Sequence, residues 1–325
     1  MRRLLLTTAA ATVAALALTA CGTTEPAADD AKKTAEPITL TDASGAKVEL
    51  AGPAKNVVGT EWNVVENLIS LGVEPAGVAD VKGYKTWNTA VPLTNEPKDI
   101  GTRGEPSMDT IAALKPDLVV ATSDLPPAAL KQLRDVAPVL ELKAADAADP
   151  IGRMTKNLDL IAQATGTTQK ADTLKKQFET KTVEANKALA DAGRAGAKYA
   201  FADGYVVSNQ VSIRPYTSGS LLGAVNEKIG LTNAWTVKGD ESYGLAATDV
   251  EGLTQLGDVE FAYIGSEADK DSTPFTGALA KDAVWNNLPF VQNGNVHRLP
   301  DGIWMFGGPE SMGKYIDSVV QALTK

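Results

Sequence analysis

Residues Ile100–Thr122 read IGTRGEPSMDTIAALKPDLVVAT, and this stretch decides the fold. Three local preferences follow one another in it. Gly101-Thr102-Arg103-Gly104 is a polar, glycine-bounded turn. Ser107 offers a side-chain acceptor just before an apolar repeat at Met108, Ile111 and Ala112, which predicts an N-capped helix. Pro116-Asp117 breaks that helix. Leu118-Val119-Val120-Ala121 is then apolar without alternation, the pattern of a strand covered on both faces in a parallel sheet. Loop, helix and buried strand in that order make half of an α/β layer. Ligands of such layers sit beyond the strand termini, at the loops. Arg103 lies in one of these loops and is the first candidate contact.

Working outward, Ile38–Asp42 and Lys47–Leu50 alternate with period two around Ala43-Ser44-Gly45, which predicts a hairpin. A strand is expected over Asn56–Gly59, and a helix over Asn63–Ser70 stopped at Gly72. A second strand is expected at Ala76–Ala79, followed by a long loop from Asp80 to Asp99 carrying Tyr84 and Trp87. Long loops in compact lobes usually carry function, so both aromatics become candidates. Helix Pro126–Val136 and strand Val139–Leu142 complete a first lobe, residues 37–149. From Pro150 to Ala192 the spacing of Ile151, Met154, Leu158 and Ile161, then of Ala171, Leu174 and Phe178, is helical throughout, with a break at Gly166. Residues 150–193 read as a helical connection, and 194–325 as a second lobe that repeats the first loosely. Its helix Ser220–Ile229 stops at Gly230, its strand Val259–Ile264 is apolar throughout, and Pro309 opens the last helix.

Composition excludes several functions. The net charge is −9 with no basic stripe, so nucleic acid is not a partner. One histidine and one cysteine rule out an internal disulfide and a multi-histidine metal cage. No Gly-x-Ser-x-Gly elbow is present, Ser218-Gly219-Ser220 being flanked by Thr217 and Leu221, and His297 would be the only histidine base. A surface-anchored enzyme is therefore a remote alternative.

The lone cysteine has its own explanation. Arg2-Arg3 precedes an apolar run, Leu4–Ala17, and Leu18-Thr19-Ala20-Cys21-Gly22 resembles a bacterial lipobox. Residues 1–20 read as a lipoprotein signal peptide, with Cys21 as the lipidated residue. Residues 21–36 hold that cysteine and a polar tether. The mature chain is expected on the outer face of a bacterial cell membrane, anchored by lipid.

The Arg103-Gly104-Glu105-Pro106 segment and the opening ITLTDASG resemble the substrate-binding lipoproteins of ABC transporters that carry ferric siderophores, in particular the iron-hydroxamate type. The similarity spans residues 37 to 323. It implies an α/β fold of two Rossmann-like lobes joined by a long rigid helical connection, the class III periplasmic-binding-protein fold, in which the lobes tilt by little. It implies capture of a ferric hydroxamate siderophore between the lobes and delivery to an ABC permease by a monomer. Haem, cobalamin or a catecholate siderophore is the alternative cargo on the same scaffold. The siderophore itself holds the iron, so no cofactor and no protein metal ligand is expected.

The resemblance places Arg103 on the hydroxamate oxygens, with Tyr84 and Trp87 at the cleft edge and Tyr243 and Trp304 as aromatic walls. Phe306 stands where the family can have Tyr, Tyr243 where a related protein has Trp, and Asp124-Leu125-Pro126 lacks an aromatic where a Tyr can occur. Arg214 and Tyr216 are weaker additions, Trp235 and Trp285 are assigned to packing, and Trp62 fits either role. Asp109 and Glu251 match surface carboxylates that dock on permease arginines in related importers.

The chemistry agrees with those residue types. A planar, permanently charged fork suits chelating oxygens. Trp and Tyr bury large area with few rotors.

Overall fold

The computed structural model describes residues 36–325. The signal peptide, Cys21 and the tether before residue 36 lie outside the described residues.

The chain opens on the expected hairpin, β1 (Ile38–Thr41) paired antiparallel with β2 (Lys47–Leu50). Its apolar residues Leu40, Val48 and Leu50 join the core of the first lobe. That lobe then runs β3 (Val57–Gly59), α1 (Trp62–Ser70), β4 (Gly77–Val78), α2 (Val81–Trp87), β5 (Lys98–Asp99), α3 (Met108–Leu114), β6 (Leu118–Thr122), α4 (Pro127–Val136) and β7 (Val139–Leu142). All five strands from β3 to β7 are parallel, in the order β5-β4-β3-β6-β7. Every residue of β6 is buried, as its unbroken apolar run predicts. Ser107 caps α3, its side chain accepting from the Thr110 amide.

The expected loop from Asp80 to Asp99 differs. Asp80 takes a left-handed backbone, φ 50°, and its side chain accepts from the Gly83 amide. That cap starts a helix, α2, in a stretch whose apolar residues are too few to show a period. A short strand, β5, then closes the segment.

Two helices follow, α5 (Pro150–Thr165) and α6 (Thr168–Asp191), with the left-handed Gly166, φ 71°, between them. Leu158 and Ile161 of α5, with Ala171 and Leu174 of α6, pack into the first core. Met154, Phe178, Ala185 and Leu189 pack into the second. Helix α6 has 24 residues, roughly 36 Å at the usual rise, and contributes side chains to both cores.

The second lobe comprises β8 (Lys198–Val207), β9 (Gln210–Pro215), α7 (Leu221–Lys228), β10 (Thr232–Asn233), β11 (Glu260–Tyr263), the short helices α8 (Ala283–Asn286) and α9 (Pro289–Gln292), β12 (Val296–Arg298) and α10 (Pro309–Leu323). A 3-10 turn, Glu251–Gln255, precedes β11. The parallel order is β10-β8-β11-β12, and β9 folds back antiparallel on the far end of β8. Trp235 and Trp285 are packed in this lobe, as expected. The two sheets share a feature that positions the site. Strand order reverses between β3 and β6 in one and between β8 and β11 in the other, and a crevice opens beyond the strand ends at such a reversal.

Candidate ligand cleft

The loops leaving β3 and β6 carry Glu61 and Asp124 to the first crevice. The β8–β9 hairpin carries Tyr205 and Arg214 to the second. Between them lies a cavity of about 330 Å³, lined by both pairs together with Arg103, Tyr243, Trp304 and Phe306. Residues from both ends of the chain thus meet in one space.

Arg103 sits on the first-lobe side. Its Nη1 donates to Glu61 Oε1 at 3.0 Å. Its guanidinium carbon lies 4.0 Å from the Trp62 ring centre and 5.4 Å from that of Trp304. One carboxylate and two indoles therefore fix the fork. Glu61 is held by its second task, capping α1 through the Trp62 amide at 2.8 Å. Burial pushes the Glu61 carboxyl up, against the pull of the Arg103 charge.

Arg214 mirrors this on the second lobe. Its Nε donates to Asp203 Oδ1 at 2.9 Å, and its Nη2 to Oδ2. The Asp203 side chain is 2 % exposed; burial pushes its carboxyl up and Arg214 opposes that. The guanidinium also lies 5.5 Å from the Phe306 ring centre. Tyr205 stands beside it, its phenol pushed up to about 12 by burial and then by Asp203.

The aromatic wall is continuous. Trp62 meets Trp304 edge-on at 4.8 Å, Trp304 meets Phe306 at 5.2 Å, and Phe306 meets Tyr243 at 5.5 Å. Trp304 follows the second lobe's last strand, yet it packs among first-lobe residues, Trp62, Val65 and Val78. Its Nε1 is buried with no hydrogen-bond partner among the described residues. Half-buried Trp87, at the end of α2, faces Tyr205 across the lobes at 6.4 Å. Tyr243 also crosses, donating its hydroxyl to Asp124 Oδ2. Burial, and then the Asp124 carboxylate, push that phenol up.

Three sequence candidates are not among the residues lining the cavity: Trp87, which meets Tyr205 beside it, and the buried Tyr84 and Tyr216. Tyr84 is fully buried under α2, its hydroxyl donating to the Val91 carbonyl at 2.7 Å. That internal acceptor lets a phenol sit in the core. Tyr216 is 1 % exposed and bonded to Asp203 at 3.2 Å. It backs Phe306 at 5.9 Å and so supports the wall from behind. Conversely, Glu61, Asp124, Tyr205 and Trp62 line or support the cleft without having been singled out as contacts. Asp109 and Glu251 are both exposed, each in the first turn of a helix. His297 donates to or accepts from Glu260 at 2.6 Å, a carboxylate that Arg194 also holds at 2.9 Å. That places the lone histidine in a half-buried hydrogen bond to Glu260, away from the cavity.

The Tyr243–Asp124 contact gives a first expected outcome. Tyr243→Phe keeps the ring and removes the hydroxyl bridge. It should lower the stability of the ligand-free chain by about 1 kcal/mol, read as a shift in the urea midpoint. An unchanged midpoint would show that the bridge contributes nothing before ligand arrives.

A family model described as periplasmic binding protein matches residues 57–302. The chain belongs to this family: it is a substrate-binding protein and not an enzyme. It is 25% identical over 261 residues to the iron(3+)-hydroxamate-binding protein FhuD of Escherichia coli, a match covering 80% of this chain and 84% of that one. It is 27% identical over 259 residues to the Fe(3+)-citrate-binding protein YfmC of Bacillus subtilis, covering 79% and 77%. Among solved structures, the siderophore-binding protein FhuD of Vibrio cholerae, bound to Fe3+-Desferal, superposes with a TM-score of 0.73 at 24% identity, covering 83% of this chain and 98% of that one. The class III fold expected from the sequence is therefore the fold found.

Proposed function

We propose that this protein is an extracytoplasmic, lipid-anchored substrate-binding protein that captures a ferric hydroxamate siderophore in the cleft and delivers it to an ABC permease. The balance of charge in the cleft carries the hydroxamate reading. Arg103 is paired with Glu61 and Arg214 with Asp203, and Asp124 adds a further carboxylate. Such a site has no surplus positive charge for a catecholate or citrate complex, which brings several negative charges. It suits a near-neutral complex whose chelating oxygens need a few directed donors and whose rim needs aromatic walls. Arg103 uses one N–H on Glu61 and keeps the rest of its fork for a guest. The buried Trp304 Nε1 is a second donor whose partner the ligand would supply. The kinship to an iron(3+)-hydroxamate-binding relative supports the same reading, and the citrate-binding relative is the specific reason to test against it.

In this reading Cys21 carries the lipid, and Asp109 and Glu251 meet basic residues of the permease, one from each lobe. The chain acts as a monomer, and the siderophore rather than the protein holds the iron. Haem, cobalamin or a catecholate on the same scaffold is the second reading.

A tryptophan-quenching titration of the chain from residue 22 decides between them. The panel is ferric ferrioxamine, ferric ferrichrome, ferric citrate, a ferric catecholate, haem and cobalamin, with iron-free forms alongside. Saturable quenching by a hydroxamate complex alone is expected. Saturation by ferric citrate or a catecholate instead would discard the charge argument. Saturation by haem or cobalamin would keep the scaffold and discard the siderophore.

A further inference from the structure

Behind the aromatic wall lies a carboxylate that the cleft does not use. Glu66 sits in the middle of α1, on the first lobe, and is fully buried. Its Oε1 accepts from the Gly308 amide at 2.8 Å and from the Ser311 amide at 3.1 Å. Its Oε2 accepts from Ser311 Oγ at 2.8 Å and from Asn88 Nδ2 at 2.8 Å. All four donors are neutral. Gly308 is the residue before α10, so a first-lobe side chain caps the N-terminus of a second-lobe helix.

The backbone is arranged for this contact. A side chain on Gly307 would put its Cβ 2.3 Å from Glu66 Oε2, and one on Gly308 would come 2.4 Å from Asn67 Oδ1. The two glycines let α1 approach the turn that no larger residue would allow. Two neighbouring bonds cross the same seam: Ser70 Oγ to Glu310 Oε2 at 3.1 Å, and the Ala90 amide to the Gly302 carbonyl at 2.9 Å.

We infer that Glu66 is a positioning residue that sets the angle between the two lobes, and with it the width of the cleft. A buried carboxylate without a counter-charge is costly, and apolar packing at the same place would hold the lobes together without that cost. Apolar contact, however, is non-directional. Three of the four hydrogen bonds fix the register of α10 against α1, and the fourth ties in Asn88 at the end of α2. They also fix three pieces of the cleft at once. Glu61 and Trp62 begin α1, Trp87 precedes Asn88, and Trp304 and Phe306 lie just before Gly308. Glu66 acts through these residues and touches no ligand.

The test measures lobe separation without any ligand. In the full chain carrying Cys21→Ser, nitroxide labels at Lys131→Cys and Lys281→Cys, both exposed positions, report one distance across the two lobes. The parent should give a single narrow peak. Glu66→Ala should lose it to a shifted, broader distribution. Glu66→Gln, which keeps one carbonyl acceptor, should fall between the two. Leu133→Ala, in a separate first-lobe cluster on the far side of the sheet from α1, controls for lost stability alone and should keep the parent's peak at a comparable drop in Tm. A parent-like peak in Glu66→Ala, or equal broadening in Leu133→Ala, overturns the inference. Should the alanine chain fail to fold, the glutamine chain decides, and a parent-like peak there overturns it.

Discussion

Arg103→Ala is expected to weaken ferric hydroxamate binding by about 1.5–3 kcal/mol, the range for a hydrogen bond to a charged group, or roughly ten- to a hundredfold. Two losses add in that figure. The fork that meets the chelating oxygens disappears. Glu61, now without its 3.0 Å partner, faces the same oxygens as an unpaired anion. Burial already pushes its carboxyl up, and removing Arg103 removes the nearest opposing charge. The sign follows. Lowering the pH protonates Glu61 in the variant and relieves the repulsion, so the deficit should be larger at neutral pH than under mildly acidic conditions. Arg103→Lys restores charge without the planar fork or its stacking on Trp62 and should recover only part of the affinity. Titration calorimetry at two pH values checks both statements. Parent-like affinity in Arg103→Ala would remove this residue from the site.

Trp304→Ala should have the largest effect on the protein itself. The side chain is 7% exposed and packs edge-on against Trp62 and Phe306. Its removal should destabilise the chain by about 3–5 kcal/mol, the usual cost of emptying a buried aromatic site. It also deletes the wall between Arg103 and Phe306, so much of the ligand-induced quenching should go with it. Denaturant unfolding and the quenching titration read the two effects separately. Lost stability with quenching and affinity intact would make Trp304 a packing residue only. Because Arg103 lies against the Trp304 ring, the double variant should lose less affinity than the sum of the single ones.

The elements were more legible than the site. Period, caps and stops are local, so Ser107, Gly72, Gly230 and Pro309 could be read where they stand. The unbroken apolar run of β6 carried its burial with it. The cleft is assembled from loops far apart in sequence, and its pairings are written nowhere locally. Arg103 could be found because it stands in a loop before a recognisable helix and strand. Glu61 shows the missed signal: an acidic residue between a strand and a helix is both a cap and a resident of the crevice. Tyr84 and Tyr216 misled for one reason. An aromatic hydroxyl implies a polar neighbour, and the sequence cannot say whether that neighbour is a ligand or, as for Tyr84, the carbonyl of Val91. Glu66 was visible as an acid among Val64, Val65 and Leu68, a polar residue where only a core position was available.

Helix α6 has one more consequence. Ala171 and Leu174 are side chains of the first core, and Phe178, Ala185 and Leu189 of the second, all on one continuous hydrogen-bonded rod. Melting any middle turn of that rod withdraws packing from both lobes together. The two lobes are therefore a single cooperative unit, not two domains in series. Partial unfolding that spares one lobe is disfavoured by construction. A cargo held between the lobes is then released by small tilts of an intact body or by wholesale loss of structure, with little in between.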